Sequence, residues 1–165
     1  MKMNNNQRPL QYKIYKGIKG KFGAIRFGLL PAYVNSGNNN KPEGAVFVEA
    51  APTIGVNNYD WENSKIVFAL KVTDIGKILS FLKTKNESNL ILLHDTGLSK
   101  GQPQGELVTI LNISRPNETM KSFWVNMSQK EQGSVKNEVK IPISIDEMFV
   151  IYTLLEAAIP RILAW

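Results

Sequence analysis

The sequence contains no cysteine and only one histidine in 165 residues. Without cysteine there is no disulfide framework and no thiolate metal site. With His94 alone, paired-histidine metal sites and histidine dyads are excluded, and His94-Asp95 lacks the further ligands of a metal-dependent phosphohydrolase. A phosphate-cradling loop is missing too, because Lys100-Gly101 does not follow the G-x-x-x-x-G-K-[ST] order. Asp and Glu are scattered, with no pair placed for acid–base work. No catalytic residue, metal or cofactor is therefore expected, and His94 is read as structural. No apolar run approaches the ~20 residues of a bilayer span, so no membrane partner is expected. The opening Met-Lys-Met-Asn-Asn-Asn lacks both the apolar core of a secretory signal and the Arg/Ser-rich amphipathic helix of a transit peptide. The expected location is cytoplasmic or nucleoid-associated, or an organelle after removal of a transit peptide.

What is present is ordinary for a folded protein: 43% hydrophobic and 21% charged residues, enough for one domain with a real core. Residues 1–10 are polar and Asn-rich and read as a disordered arm, leaving 11–165 as a single domain. The stretch 51–81 organises the rest. It holds a turn at Gly55-Val56-Asn57-Asn58, the aromatic pair Tyr59 and Trp61 around Asp60, a strand at 65–72 and a helix start at Thr73-Asp74. A second strand-to-helix junction lies at 140–147, where Ser144 and Glu147 have the spacing of a capping box. Alternation and turn signals predict strands at 11–16, 22–30, 44–51 and 65–72, then a helix at 74–82 capped by Thr73. The order repeats with strands at 89–95, 106–114, 121–128 and 139–143, then a helix at 146–159 ended or kinked by Pro160. Residues 131–138 are read as a polar connection. Short links favour hairpins, so the expected fold is α+β: two four-stranded antiparallel β-sheets packed with two helices.

The balance of 20 Lys and Arg against 14 Asp and Glu gives a formal net charge of +6 and a pI near 9.5. That suits a polyanion partner, and equally a soluble basic protein. Holding a single strand without reading its sequence takes cations for phosphates and exposed rings for bases. Tyr15, Lys16, Lys19, Lys21, Phe22 and Arg26 offer both within a short stretch; the alternative is a solvated basic edge strand that guards against aggregation. Tyr12 shares the parity of Ile14, so Tyr15 is the more available tyrosine. Tyr59 and Trp61 point the same way on an extended segment, as base contacts or as core anchors. Trp124 shares a face with Ser122 and Asn126 and reads as a base platform, whereas Trp165 reads as buried packing. The last helix is apolar nearly all round, so other subunits should cover part of it, with Phe149, Tyr152, Leu155 and Ile159 at the contact.

Gly55-Val56-Asn57-Asn58-Tyr59-Asp60-Trp61, the run from Phe68 to Gly76, His94-Asp95, Ile141-Pro142-Ile143 and Ile159-Pro160-Arg161-Ile162-Leu163-Ala164-Trp165 occur in an order and spacing that resemble the Whirly family. The likeness runs from about Tyr12 to Trp165. The family's basic strand motif, K-G-K-A-A-L-S-V, stands here as Lys19-Gly20-Lys21-Phe22-Gly23-Ala24-Ile25-Arg26, with Tyr15-Lys16-Gly17 offering a second register for its start. The resemblance implies the same two-sheet fold and a homotetramer joined through its helices. It also implies binding of single-stranded DNA with little sequence preference, in DNA replication, recombination, repair or transcription. A related fold in kinetoplastid mitochondria binds guide RNA, so an RNA-binding or annealing protein is the alternative. A structural assembly protein with incidental charge is a third reading.

Overall fold

A computed structural model describes residues 11–17, 21–32, 43–98 and 101–165. The expected arm at 1–10, Lys19, the polar Asn-rich stretch 35–42 and Lys100 lie outside the described residues. The first half contains β1 (Gln11–Tyr15), β2 (Gly23–Leu30), β3 (Ala45–Gly55), β4 (Asn58–Tyr59), β5 (Ile66–Leu70) and α1 (Val72–Lys83). The second contains β6 (Asn89–Asp95), β7 (Leu107–Ser114), β8 (Phe123–Glu131), β9 (Ser134–Ile143) and α2 (Ile145–Leu163). Every pairing is antiparallel. One sheet runs β1-β2-β3-β5, with the short β4 folded back on the far end of β3; the other runs β6-β7-β8-β9. This is the predicted α+β plan with one small strand added.

Parity decides which side of each strand is buried. In β7, Leu107, Thr109, Leu111 and Ile113 point inward while their neighbours stay half-exposed. The inner faces meet in one core, where Ile25, Val48 and Phe68 of the first sheet pack with Leu111, Met127 and Ile141 of the second. α1 adds Ile75, Ile78 and Phe81, and α2 adds Met148, Ile151, Leu155, Ala158 and Ile162. The spacing of those five on α2 is one helical face, as packing against a sheet requires.

Both strand-to-helix junctions exist, and one differs from expectation. At α2 the capping box forms: Ser144 N–H donates to Glu147 Oε2 at 2.9 Å and Glu147 N–H to Ser144 Oγ at 3.4 Å. At α1 the helix starts before Thr73. Lys71 is the N-cap, and its N–H is satisfied by Asp74 Oδ2 at 3.0 Å, so an acid on the third helical residue replaces the predicted hydroxyl cap. The same Asp74 oxygen lies 3.0 Å from His94 Nε2, and the His94 ring stacks on Phe68 at 4.1 Å.

Three further expectations are corrected. Residues 131–138 are not a loose connection: β8 and β9 continue through them to a two-residue turn, Gln132-Gly133. Both turn residues have positive φ (49° and 80°), the backbone that matches the twist of a tight hairpin. Pro160 lies inside α2 rather than ending it. The helix survives because its last carbonyls find partners elsewhere: Ala32 N–H donates to Arg161 O and Gly44 N–H to Ile162 O, each at 3.0 Å. Trp165 is 93% exposed, not buried, because the chain leaves the helix through a left-handed residue, Ala164, that turns it away from the core.

Candidate nucleic-acid interface

Two clusters of rings and cations lie on either side of Thr53. The first is built on β1, β2 and β4. Tyr15 and Tyr59 meet with ring centroids 5.4 Å apart, and Tyr15 is 52% exposed while Tyr12 packs against the core. Tyr59 is fixed from behind: Gly17 N–H donates to its hydroxyl at 3.1 Å. A Cβ on Gly17 would come within 2.8 Å of that ring, so the close approach depends on glycine. Asp60 holds the turn that follows, accepting from Asn63 N–H at 3.0 Å and Ser64 Oγ at 2.7 Å. The Asn63 backbone bond first, and the Ser64 hydroxyl next, keep its carboxyl below the usual range. Trp61 then turns back beneath Arg26, whose guanidinium lies 4.3 Å from its ring centroid. Tyr15, Asn57, Asn58, Tyr59 and Trp61 line a shallow hollow of about 480 Å³.

Register explains the position of Arg26. Lys13, Arg26, Glu49 and Val67 form one row across β1, β2, β3 and β5, on the outer face. Glu49 bonds to Arg26 Nε and lies 2.8 Å from Lys65 Nζ. Burial alone would raise the Glu49 pKa, but the hydrogen bonds from Arg26 and Lys65 outweigh it and leave the carboxyl lowered. The triad carries a net positive charge with its arginine over a ring, an arrangement suited to cation–π contact and to phosphate.

The second cluster lies where the two sheets meet. Phe22 has a left-handed backbone (φ 62°), uncommon for a bulky residue and costing roughly 1–3 kcal/mol. That backbone turns its ring toward Trp124, with centroids 5.5 Å apart. Lys140 Nζ lies 5.0 Å from the centroid of Trp124, which pairs across the strand with Ser114 and Pro142. Lys21, Phe22, Pro52, Thr53, Trp124, Glu138, Val139 and Lys140 line a second hollow of similar size. Thr53 joins the clusters: it pairs with Tyr59, and its N–H donates to Phe22 O at 3.3 Å.

The structure thus brings together Tyr15, Lys21, Phe22, Arg26, Tyr59, Trp61 and Trp124 along one track. Lys16 lines neither hollow: its Nζ reaches the other way, to within 2.9 Å of Glu147 Oε1 at the start of α2. Lys65, Asn57, Asn58 and Lys140 sit on the track without having been named as candidate contacts from the sequence. Lys140 could have been found from the register of β9 against Trp124; the asparagines stand out in the sequence only as turn residues and as part of the family-like run before Trp61. On α2, Leu155 is 2% exposed and belongs to the chain's own core, so it cannot serve as a subunit contact. Tyr152 and Ile159 are half-buried and only Phe149, at 70%, faces out, beside the unpredicted Val150 and Leu154. Among the described residues no cluster of His, Asp and Glu could hold a metal, and no helix is long and apolar enough to cross a membrane.

The family model described as Whirly transcription factor matches residues 18–154. Single-stranded DNA-binding protein WHY3, chloroplastic, of Arabidopsis thaliana is 28% identical over 123 residues, covering 74% of this chain and 44% of that protein. WHY1 of Zea mays, also named chloroplastic and single-stranded DNA-binding, is 27% identical over 154 residues, 93% of this chain and 56% of that protein. The chain therefore spans about half the length of these relatives. The crystal structure of Arabidopsis WHY3 superimposes with a TM-score of 0.79 at 27% identity, covering 98% of this chain and 92% of that one. A guide-RNA-binding protein complex shares the fold alone, with a TM-score of 0.57 at 10% identity, covering 93% of this chain and 91% of that one. With the family model spanning most of its length and the same two-sheet fold in WHY3, the chain belongs to the Whirly family.

Proposed function

We propose that this protein binds single-stranded DNA with little sequence preference, as a homotetramer, in DNA replication, recombination, repair or transcription. The observation that carries the reading is the track from Trp61 through Tyr59 and Tyr15 to Phe22 and Trp124, bordered by Arg26, Lys21 and Lys140. Rings accept any base face, so this arrangement favours affinity without sequence readout. The names of the relatives support the same ligand, and their chloroplastic naming supports an organelle as the compartment. Turnover is not part of the proposal: His94 is held between Phe68 and Asp74 and lines neither hollow.

Competition among oligo(dT), the matching RNA and duplex DNA at one fixed salt concentration tests the reading. Oligo(dT) is expected to win. Preference for RNA would move the protein to the annealing function, and binding of none at about 100 mM salt would leave only a structural role.

A further inference from the structure

β3 does not end flat. Thr53 pairs with Tyr59 and Gly55 with Asn58, so Ile54 is an extra residue between two consecutive partners. Such a bulge bends the strand and re-aims a side chain, here outward: Ile54 is 62% exposed and Val56, in the turn, 73%. The tip is held firmly. Thr53 Oγ1 lies 2.8 Å from Gly55 O and 3.2 Å from Asn58 O, and Asn57 supplies the left-handed backbone (φ 54°) that closes the turn. Both exposed side chains are β-branched and therefore stiff at χ1. They stand on the same short hairpin that supplies Asn57, Asn58 and Tyr59 to the hollow shared with Tyr15 and Trp61.

We propose that Ile54 and Val56 form a wedge that interrupts the base stack of the strand held on the neighbouring rings, and so favours weakly stacked, pyrimidine-rich strands. This rests on the single-strand-binding reading above. A ring can replace a neighbouring base and continue a stack. A branched aliphatic side chain offers no π face, so bases flanking it must part, as they do around the apolar wedges of DNA-bending proteins. Parting costs more where bases stack strongly, so runs of adenine are held less tightly than runs of thymine. The wedge gives the track a preference that it reads without hydrogen bonds.

The experiment compares wild type with Ile54→Ser/Val56→Ser on oligo(dT) and oligo(dA) of equal length, each carrying one 2-aminopurine as a fluorescent report of unstacking. Wild type is expected to bind oligo(dT) several-fold tighter and to brighten the probe. The double variant, with an unchanged melting temperature, should keep oligo(dT) affinity within about threefold while the preference falls toward one and the brightening is lost. Val56→Ser alone, which leaves the bulge untouched, should give part of the same shift. An unchanged preference and brightening in the double variant would overturn the wedge. Equal losses on both strands would also overturn it, making the tip an ordinary contact. A wild type that binds neither strand overturns the functional reading itself.

Discussion

Trp124 projects from the outer face of β8 with Lys140 over its ring and Phe22 at its edge, while its neighbour Val125 points into the core. Trp124→Ala should therefore weaken single-strand binding by roughly 1–3 kcal/mol and leave the thermal melt nearly unchanged. A variant that fails to fold in circular dichroism would instead make Trp124 a core residue. Lys21 and Lys140 line the same hollow. Replacing both with alanine should weaken all strands alike and flatten the plot of log affinity against log salt, by ~0.7 for each phosphate no longer neutralised. A salt slope equal to wild type would remove these lysines from the phosphate path. At this scale parity is the informative signal in the sequence: it separates Tyr15 from Tyr12, and Trp124 from Phe123 and Val125. It is silent where the backbone leaves the strand. Neither the positive φ of Phe22 nor the exit of Trp165 at Ala164 has a periodic trace, and Lys16 is drawn off the track by a carboxylate distant in sequence.

α2 begins where Ser144, Glu147 and Lys16 converge. Burial would raise the Glu147 pKa, yet the Ser144 N–H and Lys16 bonds outweigh it and hold the carboxyl below its ordinary value of 4.5. A carboxyl lowered by folding stabilises the fold fully above that ordinary value and loses the contribution as pH falls through its folded pKa. Glu147→Gln should thus reduce stability at neutral pH by about 1 kcal/mol or less, since water screens a half-exposed pair. It should also flatten the decline of stability below pH 4.5; urea titrations across that range would show it, and an identical acid decline in both proteins would refute it. α1 is closed at its other end by Arg115, which donates to the carbonyls of Phe81, Thr84 and Glu87 and lies over the Phe81 ring. The elements themselves are legible in the sequence because alternation and caps are local. Their ends are less so. Gln132-Gly133 hides in a polar stretch because the overhanging hairpin is solvated on both faces, and Pro160 gives a false stop because partners far along the chain hold the helix past it.

Across the whole molecule, α2 buries one stripe and leaves another uncovered. Phe149, Val150 and Leu154 are exposed, and Val150, Leu154 and Ala157 border an apolar groove with Tyr12, Phe27 and Leu29 of the first sheet. A patch of this kind marks an association surface. In light scattering the wild type should show about four times the 18.5 kDa chain mass, and Phe149→Asp/Leu154→Asp should reduce it. A wild-type mass near 18.5 kDa would refute the tetramer. Leu155→Asp should unfold the chain rather than dissociate it, because a charge would enter the core. That distinction is the difference between a helix read as apolar all round and one seen in phase: the sequence shows how much apolar surface α2 carries, but not which residues its own sheets consume.

The bonds from Ala32 and Gly44 to the last carbonyls of α2 tie the first sheet to the final helix. On the ribosome every strand emerges before α2 does. The inner side of the first sheet, with Phe27, Leu29 and Val46 beside the helix, waits uncovered until that helix is released. Completion of the fold is then a late, long-range closure, slow by its topology and open to misassociation while it waits. In the finished protein the amide protons of Ala32 and Gly44 become reporters of that closure. They should exchange with solvent deuterium as slowly as those of Ile25 and Val48, since nothing short of undocking α2 frees them.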